Sequence, residues 1–127
     1  MTARLTRRPG GPARLRALLE SNQIIVAPGA FDPLSARLVE EAGFSAVYMT
    51  GFGTSAALIG RPDVGLLTMT EMAENAGRIA ACVDIPVIAD ADTGYGNALN
   101  VIRTVGAYEA AGMTSLPSRC PHFFGAT

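Results

Sequence analysis

Two aspartates, Asp90 and Asp92, stand two residues apart directly after the short apolar run Val87, Ile88 and Ala89. The run reads as a buried strand, and residues two apart on a strand share a face. Both carboxylates are therefore expected to converge on one small volume where strand gives way to loop. Two like charges held there need a counter-charge. A hard divalent cation meets that need, since magnesium takes one or two protein carboxylates and fills its other positions with water and substrate. Thr93, Gly94 and Gly96 follow with little side-chain bulk, so a ligand could approach the backbone. The same residues also spell ordinary turn chemistry, with a carboxylate accepting from nearby amides, and spacing alone leaves both readings open. A helix-loop-helix calcium site fits less well. Counting from Asp90, it puts Tyr95 where glycine is needed and Val101 where the closing carboxylate belongs.

The elements that must position these residues alternate between two periods. Leu15, Leu18 and Leu19 recur at helical spacing until Asn22. Residues 24–27 form an apolar run closed by Pro28 and Gly29, expected as the first strand. Asp32 before Pro33 is an N-cap with proline at the first helical position, and Leu34, Leu38, Val39 and Ala42 are expected as the buried stripe up to Gly43. Residues 46–50 predict a second strand running into Gly51, after which a small-residue segment continues to Gly60 with no long helix. Arg61 to Gly65 is polar and rich in turn formers. Thr68 and Glu71 predict a capping box, and Met69, Met72, Ala76, Ile79, Ala80 and Val83 mark the apolar face of the next helix. Those methionines read as core filler. Beyond the third strand, Asn97 caps a helix whose expected core face is Val101, Ile102, Val105 and Ala111, with Gly106 a weak point and Gly112 the stop. Residues 113–116 begin a fourth strand that Pro117 cuts short. Strands alternating with helices imply a parallel α/β sheet whose carboxyl ends share one rim.

Composition narrows the chemistry. The chain has 127 residues, is 49% hydrophobic and carries a net charge of -1, as a single globular domain would. Every basic residue is arginine, so no lysine is present to form a Schiff base, and an enolate formed here would need a metal instead. Arg4, Arg7, Arg8, Arg14 and Arg16 crowd the amino terminus, but no aromatic side chains interleave with them, so a frayed basic end is expected rather than a nucleic-acid arm. A transit segment is the lesser alternative for this acid-free arm. With no spanning segment, no secretory leader and only Cys82 and Cys120, the expectation is a cytoplasmic, reduced protein that binds neither membrane nor nucleic acid.

Taken together, the run Asp90-Ala91-Asp92-Thr93-Gly94-Tyr95-Gly96, the segments Pro28-Gly29-Ala30-Phe31-Asp32 and Tyr48-Met49-Thr50-Gly51, and Pro62-Asp63-Val64-Gly65 with Thr68 soon after resemble the isocitrate lyase and phosphoenolpyruvate mutase superfamily. The likeness is strongest to its 2-methylisocitrate lyases and covers roughly residues 12 to 116. It implies a (β/α)8 TIM-type barrel of which only about the first four βα units are present. It also implies a magnesium site, with manganese as a substitute, that stabilises a pyruvate-like enolate. By position it makes Asp90 and Asp92 the metal-site acids and Asp63 a catalytic acid on a neighbouring loop. Tyr48, Thr50 and Gly51, with Gly94, Tyr95 and Gly96, become the contacts for a small 2-oxo or 2-hydroxy carboxylate. Thr50 replaces the family's usual serine and keeps its hydroxyl.

The tail Pro117-Ser118-Arg119-Cys120-Pro121-His122, with Gly125, is similar to the Lys-Lys/Arg-Cys-Gly-His loop of the family's lyases. The resemblance makes Cys120 a general acid assisted by His122. A tail whose cysteine does nothing is the other reading. The strand-end glutamate and several residues that precede this loop in the family are missing here, which suggests an internal deletion at Leu116 and Pro117. The expected organisation is thus an arginine-rich end over 1–11, half a barrel over 12–116 and a displaced catalytic-loop tail over 117–127. The expected activity is cleavage of a carbon-carbon bond in 2-methylisocitrate or isocitrate, weak or absent in this chain. The alternatives are a phosphonomutase, an oxaloacetate decarboxylase or a non-catalytic half-barrel. A complete barrel needs about 250 residues, so open strand edges predict a homo-oligomer or an aggregation-prone half-barrel.

Overall fold

A computed structural model describes residues 11–114. The basic arm over residues 1–10 and the tail with Cys120 and His122 lie outside the described residues. Helix α1 (Gly11–Glu20) comes first, and Asn22, at φ 53°, turns the chain. Three parallel strands follow in the order β1 (Gly29–Ala30), β2 (Val47–Met49) and β3 (Val87–Ala89).

The first strand is later and shorter than expected, and residues 24–27 are not part of it. Pairing decides this: β1 meets β2 only where Gly29 lies opposite Tyr48 and Ala30 opposite Met49. The apolar run before that point has no ladder to join among the described residues, and Ile24 is 93% exposed. The β2 and β3 strands agree with expectation and pair in register, Val47 with Val87 and Met49 with Ala89. Those four side chains are wholly buried, while Tyr48 and Ile88 between them point to the opposite, partly open face. The Thr114 amide donates to the Val87 carbonyl at 2.9 Å, so the chain starts down the far side of β3 where the fourth strand was expected.

Helix α2 (Pro33–Glu41) begins as expected, with Asp32 Oδ1 accepting from the Ser35 amide at 2.7 Å and Pro33 in the first turn. Its buried face differs. Ala36 is fully buried where α2 meets the sheet and Val39 is partly so, whereas Leu34 and Leu38 are 68% and 58% exposed and Ala42 is also exposed. The larger side chains flank that contact instead of forming it.

Helix α3 (Gly51–Ile59), nine residues long, occupies the small-residue segment in which no long helix was expected. Its glycines and small residues give little propensity or periodicity, so its ends make the difference. Thr50 Oγ1 accepts from the Gly53 amide at 3.4 Å, and Gly60 closes the helix at φ 62°.

Helix α4 (Met69–Cys82) carries the expected Thr68–Glu71 capping box and buries Met72, Ala76, Ile79 and Ala80. It also buries Asn75, which hydropathy did not single out. The Asn75 amide donates to the Phe31 carbonyl at 2.9 Å and to Thr54 Oγ1 at 3.3 Å, tying β1, α3 and α4 together just beyond the strand ends. Helix α5 (Ala98–Ala110), capped by Asn97, turns a different face inward than expected. Thr104 and Tyr108 are buried, Val101 and Val105 only partly, and Ile102 is 69% exposed. Gly112, at φ 89°, ends this unit as expected. No helix among the described residues is long and apolar enough to cross a membrane.

Candidate metal and substrate site

The carboxyl ends of β2 and β3 open into one shallow concavity, lined by Gly51, Asp63, Asp90, Asp92 and Tyr95, with Leu67 and Met72 as its apolar wall. Each acid arrives by a different route. The Asp90 amide donates to the Met49 carbonyl at 3.1 Å, extending the β2–β3 ladder by one bond and fixing Asp90 at the rim. Asp63 sits on the exposed segment after α3, where Ser55 Oγ reaches the carbonyls of Arg61 and Pro62 at 3.0 and 3.2 Å and anchors its base.

Asp92 reaches the concavity by a turn rather than by strand alternation. Its backbone is left-handed, at φ 48°, and its amide donates to Asp90 Oδ1 at 2.9 Å. The premise of a shared strand face is therefore corrected, because the strand ends at Ala89. Both readings of the spacing are realised at once: Asp90 closes a local turn through one oxygen and presents the other to the concavity. Tyr95 is left-handed too, at φ 59°, and Gly94 and Gly96 take φ 87° and 146°. Such crowding of unfavourable backbone is characteristic of sites where geometry outranks local stability.

Gly51 shows how closely the acids approach. A Cβ built on it would lie 2.9 Å from Asp63 Oδ2 and 2.9 Å from Asp90 Oδ2. Glycine thus leaves open the space on which two carboxylate oxygens converge. The donor set is oxygen only, which suits magnesium or manganese and not a soft metal. No group of three or more His, Cys, Asp and Glu among the described residues is arranged to hold a metal.

Of the expected substrate contacts, Gly51 and Tyr95 line the concavity. Tyr48, Thr50, Gly94 and Gly96 do not; Thr50 caps α3, and the two glycines shape the loop. The residues the sequence did not reveal act from behind. The Tyr108 hydroxyl donates to the Asp90 carbonyl at 3.2 Å and lies 3.4 Å from the Tyr95 hydroxyl, while Thr104 Oγ1 donates to the Gly94 carbonyl at 2.9 Å. Their signal was present as two hydroxyl-bearing residues four apart on one helix face, but hydropathy alone ranks such a pair as surface.

Burial pushes the Tyr95 phenol up to about 12, against its hydrogen bond to Tyr108, with Asp92, Asp90 and Asp63 pushing the same way as burial. Tyr108 is raised as well, first by burial and then by its bond to Tyr95. A raised folded value means that the unfolded chain loses the proton first, so this contribution to stability is complete below about pH 10. It is lost as pH rises toward 12. Denaturant melts between those limits are expected to show falling stability, with a shallower fall in Tyr95→Phe. Equal slopes in the two proteins would contradict the burial of this phenol.

The profile of the family described as Phosphoenolpyruvate phosphomutase matches residues 15–116. The chain is 51% identical over 120 residues to the 2,3-dimethylmalate lyase of Eubacterium barkeri, covering 89% of this chain and 42% of that protein. Among solved structures, the phosphoenolpyruvate phosphomutase from Streptomyces platensis subsp. rosaceus superposes with a TM-score of 0.80 at 48% identity, over 84% of this chain and 37% of that one. A phosphonopyruvate hydrolase crystallised with oxalate and Mg++ gives a TM-score of 0.80 at 43% identity, again over 84% and 37%. The chain therefore spans less than half the length of these relatives.

Proposed function

Because the chain belongs to the phosphoenolpyruvate phosphomutase family, whose members include lyases and mutases, and carries the first βα units of its (β/α)8-type fold, we propose that it holds the metal and enolate half of a carbon-carbon lyase site. The substrate class proposed is 2-hydroxy di- or tricarboxylic acids of the 2-methylisocitrate, isocitrate or dimethylmalate type. The observation that carries this reading is the convergence of Asp63 and Asp90 on the space beside Gly51, with Asp92 on the same concavity.

Asp90 and Asp92 would hold the cation, magnesium or manganese. Bound there, it would supply Lewis-acid stabilisation of the charge that develops on an enolate oxygen. The chain's own residues do the rest. Asp63, on its anchored segment, adds a further acceptor for water or a substrate hydroxyl. Tyr95 keeps its proton at neutral pH, and its hydroxyl pairs with that of Tyr108 behind the rim. Leu67 and Met72 give an apolar wall that keeps water from one side of the bound carbon skeleton.

A lyase, a mutase and a hydrolase all match this same stretch, so what they share supports an assignment to the common enolate chemistry rather than to one leaving group. We assign the acid–base step to Cys120 with His122, by resemblance to the lyases' loop. A non-catalytic half-barrel is the second reading.

The test is thermal unfolding with and without magnesium. The ion is expected to raise the melting temperature, and Asp92→Ala to abolish the rise. A saturating cation at a hundred times its dissociation constant is worth about 2.7 kcal/mol, well above detection. A rise that survives in Asp92→Ala would remove the site. Turnover of 2-methylisocitrate, isocitrate, 2,3-dimethylmalate and oxaloacetate by the 127-residue chain alone is expected to stay at the level of that variant. Turnover above it would retire the half-barrel reading.

A further inference from the structure

The loop over residues 90–96 must hold its acids in a backbone that a free chain seldom visits. Asp92 and Tyr95 are both non-glycine residues at positive φ, 48° and 59°. The turn within the loop supplies two bonds, from the Asp92 amide to Asp90 Oδ1 and from the Gly94 amide to the Ala91 carbonyl at 2.8 Å. Those bonds leave the outward carbonyls of Asp90 and Gly94 to be satisfied from elsewhere. Both are satisfied from one helix face.

We infer that Thr104 and Tyr108 of α5 are positioning residues for this site: a two-point clamp on the carbonyls of Gly94 and Asp90 that selects the loop conformation presenting Asp90 and Asp92. Residues four apart on a helix lie one above the other, so a single helix face meets both ends of the turn. Thr104 is 1% exposed and Tyr108 0%, so neither hydroxyl can exchange its loop partner for water. Each bond lost inside the protein therefore leaves a carbonyl unsatisfied. The Tyr95 hydroxyl, 3.4 Å from that of Tyr108, adds a third contact at the far end of the loop. Asn97 fixes the start of α5 through the Leu99 and Asn100 amides, so the clamp is held at a set height below the loop.

The metal arm of the test rests on the function proposed above; the metal-free arm does not. In metal-free protein, amide hydrogen exchange at residues 92–96 is expected to accelerate about tenfold in Thr104→Val, which removes one buried hydrogen bond, and by at least about tenfold in Tyr108→Phe, which removes the contacts with Asp90 and Tyr95, each with little loss of volume. The β2 and β3 amides are expected to stay at wild-type rates. Thr104→Ser, which keeps the hydroxyl, is expected to restore slow loop exchange, a rescue that methyl packing alone would not produce. Ile79→Val, a core change on α4, serves as a control that loses stability without touching the loop. In the metal arm, Mn²⁺ affinity measured by electron paramagnetic resonance is expected to weaken about tenfold in the two hydroxyl deletions and not in the control. Loop exchange and Mn²⁺ affinity no different from those of Ile79→Val would overturn the clamp. If the wild-type chain binds no Mn²⁺, the metal reading falls and the exchange pattern alone decides the clamp.

Discussion

Gly51→Ala is expected to weaken magnesium binding about ten- to a hundredfold, the range seen when the support of a metal ligand is disturbed, while metal-free stability stays within about 1 kcal/mol of the parent. The two halves of that result have separate causes. Gly51 opens α3 and does not carry a positive φ, so alanine suits the backbone and even favours the helix. The added methyl, however, would stand 2.9 Å from both Asp63 Oδ2 and Asp90 Oδ2. One carboxylate must swing aside, and the segment carrying Asp63 is the more exposed and the freer to move. Isothermal titration with Mg²⁺ or Mn²⁺ measures the first half and a denaturant melt the second. Unchanged affinity would mean that the space beside Gly51 is not where the cation sits.

Gly94→Ala is expected to have the largest effect on folding itself, about 2–5 kcal/mol. Its φ of 87° excludes an L side chain at a cost of roughly 1–2 kcal/mol. The new methyl would also fall 2.5 Å from Val101 Cγ2 and 3.3 Å from Val101 Cβ, which forces α5 away from the loop at a further cost of about 1–3 kcal/mol. At about 4–8 °C per kcal/mol for a domain near this size, the melting temperature is expected to fall by at least 8 °C. Gly106→Ala is the internal control. It lies in the same helix with nothing within 4 Å of a built Cβ, so it is expected to stabilise by about 0.5–1 kcal/mol. Two glycine-to-alanine changes a dozen residues apart should thus move the melt in opposite directions. Loss of stability in both would argue against the packing of α5 under the loop.

Much of this architecture was legible because it rests on local chemistry. The caps at Asp32, Thr68 and Asn97, the stop at Gly112 and the apolar runs of β2 and β3 all name their own positions in sequence. What was not legible depends on which neighbour arrives. The run over residues 24–27 is as apolar as β3 but has no partner strand among the described residues, and it is not a strand there. Leu34, Leu38 and Ile102 obey helical spacing, yet the closest contacts fall on Ala36, Thr104 and Tyr108. Hydropathy ranks side chains by transfer energy and cannot see that a close-packed helix takes a small or a hydrogen-bonded residue at the contact. The convergence of Asp90 and Asp92 on one concavity was expected from a premise that proved half right. Asp90 extends the ladder as expected, but Asp92 gets to the concavity through a left-handed turn, and φ signs of non-glycine residues are not written in composition. Asn75 and Ser55 were missed for a related reason, since each bonds a main-chain carbonyl outside its own helix, that of Phe31 for Asn75 and those of Arg61 and Pro62 for Ser55.

That α3 starts at Gly51 has an electrostatic consequence. The amino-terminal end of a helix carries about half a positive elementary charge, and here it lies beside Asp63 and Asp90. Such an end stabilises an adjacent anion by about 0.3–1 kcal/mol at an exposed position. The two carboxylate oxygens are each 2.9 Å from one point, hence no further apart than twice that. At such a separation the repulsion between two full charges is about 1–3 kcal/mol, between a water-like dielectric and that of a protein surface. The helix end therefore relieves part of the repulsion and leaves a deficit of positive charge. That deficit is a standing attraction for a cation, strongest in dilute buffer and shrinking as the Debye length contracts to about 8 Å at physiological ionic strength.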